Sequence, residues 1–554
     1  MRSAHARTTG LTLGLALAAL SGVTGLTAAP ALVSPTSSPA TAAPTYRAVV
    51  ALSSSSTALP GVRVLARYGH VNAAVVTGSK PALQHLAGVP GVRGVSPDVQ
   101  LRTASDKHDG GRSVFAWDGL GGNAGQSRAG AGVTVALLDT GVSDTAALSR
   151  ASGRLVDGVD TSSLAEGGNA STTGRFTDGY GHGTFMASLI AGGPVTGTGK
   201  RGLGVAPMAR VVVVKVADSQ GTTSLSEVLA GLDWIAVQAP KIQLVNIALA
   251  HEKPGNGYGE DPLTVAVEHV QAAGVAVVAT VGNTPGEVGD PGLDPRVLTV
   301  GAADLAKNSG NKVGVADFSG YGNVAGVRKP DLVASGVGLL GLLPAGSVIA
   351  REHPAAAQRN GLWRGSGTSE ATAIATGVAA EFLSSHPDAS VSQVKPSLRA
   401  AADSIGDSRR AGRGLLGMAD NAVASTPATT GEASLDANAF RNNAWADGAW
   451  RDDLNSRWSP TSRASSWSAS SWSSQAWNSD SWNASSWSAS SWSGSSWSGS
   501  SWSGSSWSGS SWSGSSWSGS SWSGSSWSGS SWSGSSWSAG SWSAAGWGDG
   551  GEDE

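Results

Sequence analysis

The sequence predicts an α/β domain built on a mainly parallel β-sheet with helices on both faces. From about residue 130 to 425, continuous apolar runs alternate with helical segments, as is typical of a parallel sheet between two helix layers. The runs are apolar throughout rather than at every second position, which indicates strands buried on both faces. The 554-residue chain has no cysteine, so its stability must come from a large packed core rather than from disulfides.

The elements of this domain follow one another in a regular order. Five strands are predicted: VTVALLD (133–139), RVVVVKV (210–216), IQLVNIAL (242–249), VAVVATV (275–281) and VLTVGAA (297–303). Between them, SEVLAGLDWIAVQA follows TTSL as one helix, and DPLTVAVEHVQAAG forms another that ends at Gly274. Ligands of such sheets bind beyond the carboxyl ends of the strands, so polar residues there are the functional candidates.

Composition excludes several classes of function. The net charge is −3 at pH 7, and no polybasic segment favours nucleic acid or an anionic membrane surface as a partner. The absence of cysteine excludes thiolate catalysis, Cys-ligated zinc and a lipid-modified N-terminal cysteine. Beyond the N-terminal region, no apolar stretch approaches the roughly 18 residues of a spanning helix, so we expect no membrane span in the mature chain.

Residues 1–43 are typical of a secretory signal peptide. Arg2 and Arg7 precede a short run rich in leucine and alanine, and small residues then provide two cleavage sites, after Ala29 or after Ala43. An uncleaved membrane anchor is less favoured because the apolar run is short and interrupted by glycine and serine. We therefore expect a secreted, extracellular protein.

Residues 44–105 are expected to form a small α+β unit ahead of a larger domain over 110–425. YRAVVAL and AAVVTG are predicted as strands, SKPALQHLAG as a helix and VRGVSPDVQL as one final strand. The segment RTASDKHDGGRS that follows is polar and rich in glycine, which is typical of an exposed cleavage segment.

The chain ends in a low-complexity repeat. After a linker over 426–465, a tryptophan recurs every five residues from Trp467 to Trp547 within a serine- and glycine-rich tail, 466–554. This tail cannot build an ordinary core, and a disordered spacer is the default interpretation. Regularly spaced tryptophans could instead stack on sugar rings and associate the protein with the cell wall. A β-solenoid is less favoured because tryptophan is bulky for an inward position.

Two polar residues occur where chemistry is expected. Asp139 ends the apolar run VTVALLD, where an ionised carboxylate is costly unless it is paired. The Asp-Thr-Gly tripeptide also forms tight turns and marks aspartic peptidases, but those enzymes need two such aspartates and only one occurs here. His182 lies in DGYGHGTFMASL, and glycines on both sides leave room for another chain to approach its ring. A lone histidine is more often structural, but the glycines on both sides of this one favour a functional role.

Ser369 and Asn283 complete the set of candidates. Ser369 begins the helix of GSGTSEATAIATGVAA, where it could be the helix N-cap, a nucleophile or both. The free N–H groups and the positive dipole end at a helix start would also stabilise an oxyanion. Asn283 closes VAVVATVGN as a turn former or as a donor to developing negative charge. Asp, His, Asn and Ser are thus predicted at strand ends or helix starts of one sheet.

These motifs resemble those of the subtilases, the subtilisin-like serine peptidases. VTVALLDTGV resembles the family's Asp motif, GHGTFMASLIAG its His motif, VVATVGN its oxyanion-hole segment and GSGTSEATA its Ser motif. The resemblance covers about residues 110–425 and implies a subtilisin-like fold. It implies that Ser369 attacks the scissile carbonyl, that His182 transfers the proton and that Asp139 orients the imidazole. Asn283 and the backbone N–H of Ser369 would bind the oxyanion.

The same resemblance implies partners and a mode of control. Residues 46–102 resemble the family's inhibitory propeptide, which keeps the enzyme a zymogen until a cut expected between about Leu101 and Ser113. Protein or peptide substrates would contact Ala248, Leu249, Ala250 and Gly282. No cofactor is required for the chemistry. Structural calcium could bind four acidic residues, although a solvated acidic loop explains them at least as well: Asp157, Asp160, Glu166 and Asp178.

Several positions near the motifs depart from the family pattern. Phe185 and Met186 replace the usual His-Val after GHGT, Glu370 follows the serine in place of Met or Phe, and Ala373 replaces a common Pro. Ala250 adds a methyl group in the lining strand. The first hypothesis is a secreted serine endopeptidase made as a zymogen. The second is a catalytically weak or inactive subtilisin-like scaffold that binds the cell wall through its tail.

Overall fold

The structure is a computed structural model. It describes residues 45–103, 113–166, 169–239, 241–250, 261–305, 313–324, 326–358 and 360–418. The predicted signal peptide, the cleavage segment after Thr103, the linker and the tryptophan tail lie outside these ranges.

The described residues form 21 strands and eight α-helices. The strands are β1 Tyr46–Leu52, β2 Arg63–Tyr68, β3 Ala73–Gly78, β4 Val92–Pro97, β5 Gln100–Thr103, β6 Thr134–Asp139, β7 Leu155–Asp160, β8 Arg210–Lys215, β9 Thr222–Ser224, β10 Leu244–Ile247, β11 Leu249–Ala250, β12 Ala276–Thr280, β13 Leu298–Asp304, β14 Gly314–Val315, β15 Gly322–Val324, β16 Val327–Lys329, β17 Leu332–Ser335, β18 Leu339–Gly341, β19 Trp363–Gly365, β20 Ala402–Asp403 and β21 Leu415–Leu416. The helices are α1 Lys80–Leu86, α2 His182–Ala191, α3 Leu225–Gln238, α4 Pro262–Ala272, α5 Val348–Glu352, α6 Thr368–Ser385, α7 Val394–Ala400 and α8 Ser408–Ala411.

The largest sheet has ten strands and is mainly parallel. Its order is β20-β21-β17-β13-β12-β10-β6-β8-β7, and β14 pairs with β13 beside this path. Neighbours from β21 to β7 pair in parallel, whereas β20 and β14 pair antiparallel with β21 and β13. The carboxyl ends of β6, β10 and β12 therefore meet at one edge of the sheet, where ligands bind in folds of this type.

Helices cover both faces of this sheet. Successive side chains of a strand point to opposite faces. In β6, Val135 and Leu137 share a core with residues of α2 and α6, whereas Ala136 and Leu138 share the opposite core with residues of α3 and α4. The α/β arrangement predicted from the sequence is confirmed. No helix within the described ranges is both long and apolar enough to cross a membrane.

The predicted elements of this domain are present with small shifts at their ends. Each of the five predicted strands is observed, and β10 is the shortest of them because the chain leaves this sheet after Ile247. Helix α3 begins in a capping box formed by Ser224 and Glu227. Helix α4 is capped by Asp261, whose side chain accepts a hydrogen bond from the Leu263 N–H at 2.8 Å.

Residues 45–97 form a separate antiparallel sheet in the order β2-β3-β1-β4, with α1 packed against it. Strands β1 and β3 and helix α1 match the predicted elements, whereas β2 is not apparent in the sequence because its side chains are largely exposed. The prediction of one final strand over VRGVSPDVQL is wrong. Strand β4 ends at Pro97 and β5 begins at Gln100, because Asp98 turns its carboxylate towards Ser226 of α3.

Strand β5 lies between two strands that belong to the larger part of the chain. The three form an antiparallel sheet in the order β11-β5-β9. Arg102 pairs with Ala250 and Thr103 pairs with Leu249. The sheet of residues 45–97 also packs against α3 and α4, since four of its apolar residues share a core with both helices: Val49, Val71, Ala73 and Val75.

Candidate active site

A carboxylate and an imidazole meet at the carboxyl edge of the sheet. Asp139 is the last residue of β6, and His182 is the first residue of α2. Nδ1 of His182 lies 2.7 Å from Oδ1 and 2.9 Å from Oδ2 of Asp139. The Asp139 Oδ1 atom also accepts a hydrogen bond from the backbone N–H of Thr140 at 2.7 Å. A carboxylate at this position makes Nδ1 the protonated nitrogen and leaves Nε2 as a base.

The charge on Asp139 controls the basicity of His182. Burial, the largest single influence, lowers the pKa of His182, but the charge and the hydrogen bond of the Asp139 carboxylate raise it, and with the neighbouring acidic groups the net shift is upward. The charges of Glu370 and Asp178 also raise this pKa. Nε2 is buried and has no hydrogen-bond partner among the described residues. A histidine bonded to a carboxylate at Nδ1 and unbonded at Nε2 has the arrangement expected of a general base.

The glycines around His182 are required by the backbone. Gly181 precedes α2 with a φ of 111°, a conformation that side-chain-bearing residues rarely adopt. A Cβ atom on Gly183 would clash with the carbonyl oxygen of Gly141. Position 183 must be glycine because the start of α2 and the turn after Asp139 approach each other so closely. The Gly-His-Gly sequence thus brings the imidazole to the carboxylate.

Asp178 supports this turn and does not fit a calcium ligand. Its Oδ1 atom accepts hydrogen bonds from Thr140 Oγ1 at 2.9 Å and Gly181 N at 2.7 Å. Its Oδ2 atom accepts from the backbone N and Oγ1 of Thr184, at 2.8 and 2.7 Å. Burial raises the pKa of Asp178 despite these donors. Both oxygens are already engaged, and within the described ranges no group of three or more His, Cys, Asp or Glu side chains could hold a metal ion.

Ser369 lies in the first turn of α6 but does not cap it. The helix begins at Thr368 and Gly367 is the N-cap residue, so the expectation that Ser369 caps its helix is wrong. The Ser369 hydroxyl is buried and donates a hydrogen bond to the carbonyl oxygen of Ala248 at 2.9 Å.

Asn283 contacts the residue immediately before Ser369. The amide follows β12, and its Oδ1 atom accepts hydrogen bonds from the backbone N–H and the hydroxyl of Thr368, at 3.0 and 2.7 Å. The end of β12 is thereby joined to the start of α6. Sequence analysis does not single out Thr368, although its place in the Gly-Thr-Ser motif is the signal that could have drawn attention to it.

Two of the four predicted substrate-contacting residues pair with β5. Leu249 and Ala250 form β11 and pair with β5, and Ala248 accepts the hydrogen bond from Ser369. Gly282 follows β12 with a φ of 97°, and its carbonyl accepts a hydrogen bond from Gly320 N at 2.9 Å. Residues 100–103 thus occupy an extended-strand position beside the candidate nucleophile.

A pocket opens beside His182. Its lining combines apolar residues with Arg364 and Glu370; the full set is His182, Phe185, Met186, Leu343, Ile349, Ala356, Arg364, Gly365, Ser366 and Glu370. Three positions that depart from the family pattern, Phe185, Met186 and Glu370, therefore lie together in one pocket. Ala373 is fully buried within α6 and does not line it.

Comparison with known proteins agrees with this architecture. The model of the subtilase family matches residues 130–415. The serine protease AprX of Bacillus subtilis is 32% identical over 300 residues, which are 50% of this chain and 63% of that protein. Subtilisin DY of Bacillus licheniformis is 30% identical over 298 residues, which are 53% of this chain and 92% of that protein. The chain therefore spans less than two thirds of AprX but nearly all of subtilisin DY.

A solved structure shares the fold. Fervidolysin from Fervidobacterium pennivorans, a keratinolytic enzyme related to subtilisin, superposes with a TM-score of 0.52 and 21% sequence identity. The alignment covers 68% of this chain and 61% of fervidolysin. At this identity the likeness concerns the fold alone, while the matching family model covers more than half of the chain. The chain belongs to the subtilase family of subtilisin-like serine peptidases.

Proposed function

We propose that this chain is a secreted serine endopeptidase in which Ser369, His182 and Asp139 act as a catalytic triad. The observation that carries the proposal is the carboxylate–imidazole pair of Asp139 and His182, with contacts of 2.7 and 2.9 Å at Nδ1. A serine at a helix start, bonded to the carbonyl of a substrate-lining residue, completes the arrangement. Metal or cofactor chemistry is not needed for any step of peptide hydrolysis by these groups.

The reaction proceeds in two halves. Oγ of Ser369 forms a bond to the scissile carbonyl carbon while its proton passes to Nε2 of His182 and the carbonyl π electrons move onto oxygen. The tetrahedral intermediate then collapses, the C–N bond breaks and His182 gives the proton to the leaving amine. Water repeats these steps on the acyl-enzyme and releases the acid. The Ser369 hydroxyl bonds to Ala248 in the structure, so it must exchange that bond for one to Nε2 of His182 before it attacks.

Asn283 and the backbone N–H of Ser369 serve as the oxyanion donors. The two hydrogen bonds that Asn283 Oδ1 accepts from Thr368 direct the opposite face of the amide, with its N–H groups, away from Thr368. The start of α6 adds the positive end of a helix dipole. Loss of such an Asn donor lowers turnover by about 10²–10³-fold in this family.

The unit at residues 44–105 acts as an intramolecular inhibitor, which makes the precursor a zymogen. Its strand β5 fills the cleft between β9 and β11, where an extended substrate would pair. Thr103 pairs with Leu249, one residue short of Ala248. The carbonyl of Ala248 accepts the Ser369 hydroxyl, so the described part of β5 ends one register position before the proposed nucleophile. We therefore expect the Ala104–Ser105 bond to be cut.

Comparison of wild type with Ser369→Ala tests both proposals. Each protein is expressed as the full chain, and intact mass and casein digestion are measured. We expect only wild type to lose its N-terminal segment, to start at Ser105 and to digest casein. Ser385→Ala, a change at the other end of α6, is the matched control and should behave as wild type. A processed, active Ser369→Ala protein would overturn the triad, and an active uncut wild type would overturn the zymogen proposal alone.

Export and retention at the cell wall are proposed from the sequence patterns at the two ends of the chain. The signal-like residues 1–43 support secretion, and the tryptophan spacing of the tail supports contact with wall glycan. Pull-down with isolated cell walls should capture the full chain and lose the variant that lacks residues 440–554. Capture of both would show that the tail is not the anchor.

A further inference from the structure

A chain of hydrogen bonds runs from β12 to Asn283 through two buried threonines. The Gly282 N–H donates to Thr280 Oγ1 at 3.1 Å, and the Thr280 hydroxyl donates to Thr368 Oγ1 at 2.7 Å. The Thr368 hydroxyl donates in turn to Asn283 Oδ1 at 2.7 Å. Thr280 ends β12 and Thr368 begins α6, so these hydrogen bonds join residues 88 positions apart in the sequence, at the point where the two elements meet.

Which group donates in each hydrogen bond of this series follows from the groups at its two ends. A hydroxyl has one proton, and the backbone N–H of Gly282 can only donate. Asn283 Oδ1 can only accept, so the single hydroxyl proton of Thr368 points to Asn283, and Thr368 must accept its other hydrogen bond from Thr280. The backbone N–H of Thr368 is a second donor to Asn283 Oδ1, at 3.0 Å. A flipped amide would place an NH₂ group against this N–H, so the orientation of Asn283 is settled by two donors.

Burial makes each hydrogen bond of this series hard for water to replace. Thr280 and Thr368 are both fully buried, and the side chains of Thr280, Thr368 and Asn283 are in direct contact. Solvent cannot replace a lost hydroxyl there without a cavity. Without the donor at position 280, the Thr368 hydroxyl loses one of the two bonds that hold its rotamer, and its bond to Asn283 loosens.

We propose that Thr280 is a positioning residue that aims the amide of Asn283 at the oxyanion through Thr368. The inference rests on the proposed oxyanion role of Asn283 and adds a residue that has no contact with substrate. An oxyanion donor acts mainly in the transition state, so a misdirected amide lowers kcat and leaves KM nearly unchanged.

The test is a double-mutant cycle on the mature enzyme with a peptide amide substrate. Thr280→Val keeps the shape of the side chain and removes the hydroxyl, and we expect kcat to fall by about 5- to 50-fold, a fraction of the effect of removing the oxyanion donor itself. Thr280→Ser keeps the hydroxyl and should retain most of kcat. In the Asn283→Ala background, Thr280→Val should cause no further loss of kcat, because both changes act on the same donor.

Thr376→Val provides the matched control. Thr376 is a fully buried threonine of α6 whose hydroxyl accepts from Asn246 Nδ2 at 2.8 Å, away from the oxyanion donors. Its loss should lower stability more than kcat. If Asn283→Ala leaves kcat unchanged, the oxyanion role itself fails. The positioning role of Thr280 is overturned if Asn283→Ala lowers kcat while Thr280→Val has the same kcat as Thr376→Val. It is also overturned if the fold-loss in kcat of the double variant equals the product of the losses of Thr280→Val and Asn283→Ala. Should Thr280→Val not mature, Thr280→Ala and Thr280→Ser carry the same comparison.

Discussion

Replacing Asp98 by alanine should release the N-terminal unit from the enzyme. Asp98 lies between β4 and β5 and accepts hydrogen bonds from the backbone N–H and the hydroxyl of Ser226, at 2.8 and 2.7 Å. Nε of Arg47 lies 2.6 Å from the same carboxylate. Burial raises the pKa of Asp98 although Arg47 opposes that shift. The carboxylate also stands at the positive end of α3, so it joins the two parts of the chain through charge, hydrogen bonds and a helix dipole.

The magnitude follows from the bonds that cross between the two parts of the chain. Arg47 belongs to the same N-terminal unit as Asp98, so the bonds lost across the interface are those to Ser226. Loss of such hydrogen bonds to a charged group costs about 1.5–3 kcal/mol. The inhibition constant of the N-terminal unit should therefore rise roughly 10- to 150-fold.

The assay measures inhibition of mature enzyme by added residues 45–103, as wild type and as Asp98→Ala. Arg63→Ala is the matched control, since Arg63 is exposed on β2 and should leave the inhibition constant unchanged. Circular dichroism of both peptides with and without enzyme checks that each can fold. An Asp98→Ala peptide that inhibits as tightly as wild type would refute the reasoning about this interface.

Three further changes test other parts of the structure. Glu370→Gln removes a charge that raises the pKa of His182, so the acid limb of the pH profile of kcat/KM should move to lower pH; no movement would contradict this coupling. Lys329→Met should lower the free energy of unfolding by about 1–3 kcal/mol in urea titrations of the Ser369→Ala protein, because the buried ammonium group donates to the carbonyl oxygens of Asp294 and Val297, which would lose that donor. An unchanged midpoint would contradict this expectation. Gly183→Ala should abolish casein digestion because its Cβ would clash with the preceding turn; retained activity would show that the turn can yield.

The fold and the candidate residues were accessible to sequence analysis because they depend on local patterns. Continuous apolar runs predict buried parallel strands, and residues at their ends are brought to one edge by the geometry of the sheet alone. Asp139 and His182 follow this rule, and the glycines flanking His182 mark the close approach that joins them.

Features that depend on contacts between residues far apart in the sequence could not be predicted from the sequence. The run VRGVSPDVQL looks like one strand, but Asp98 has a partner in Ser226, 128 residues away, and the chain turns there to divide between two sheets. Thr280 and Thr368 are unremarkable as separate threonines, and their hydrogen bond exists only because β12 and α6 meet. Phe185 and Glu370 appear as unrelated departures until the pocket beside His182 brings them together.

Covalent labelling with a serine-directed phosphonate tests the proposed nucleophile most directly. Mature wild-type enzyme should gain one adduct, and peptide mapping should place it on Ser369. Heat-denatured enzyme and the Ser369→Ala protein should gain none, because reaction requires the hydroxyl to be activated by His182 and Asp139. An adduct on another serine of the folded enzyme, or casein digestion that persists without any adduct, would contradict the assignment of Ser369 as the nucleophile.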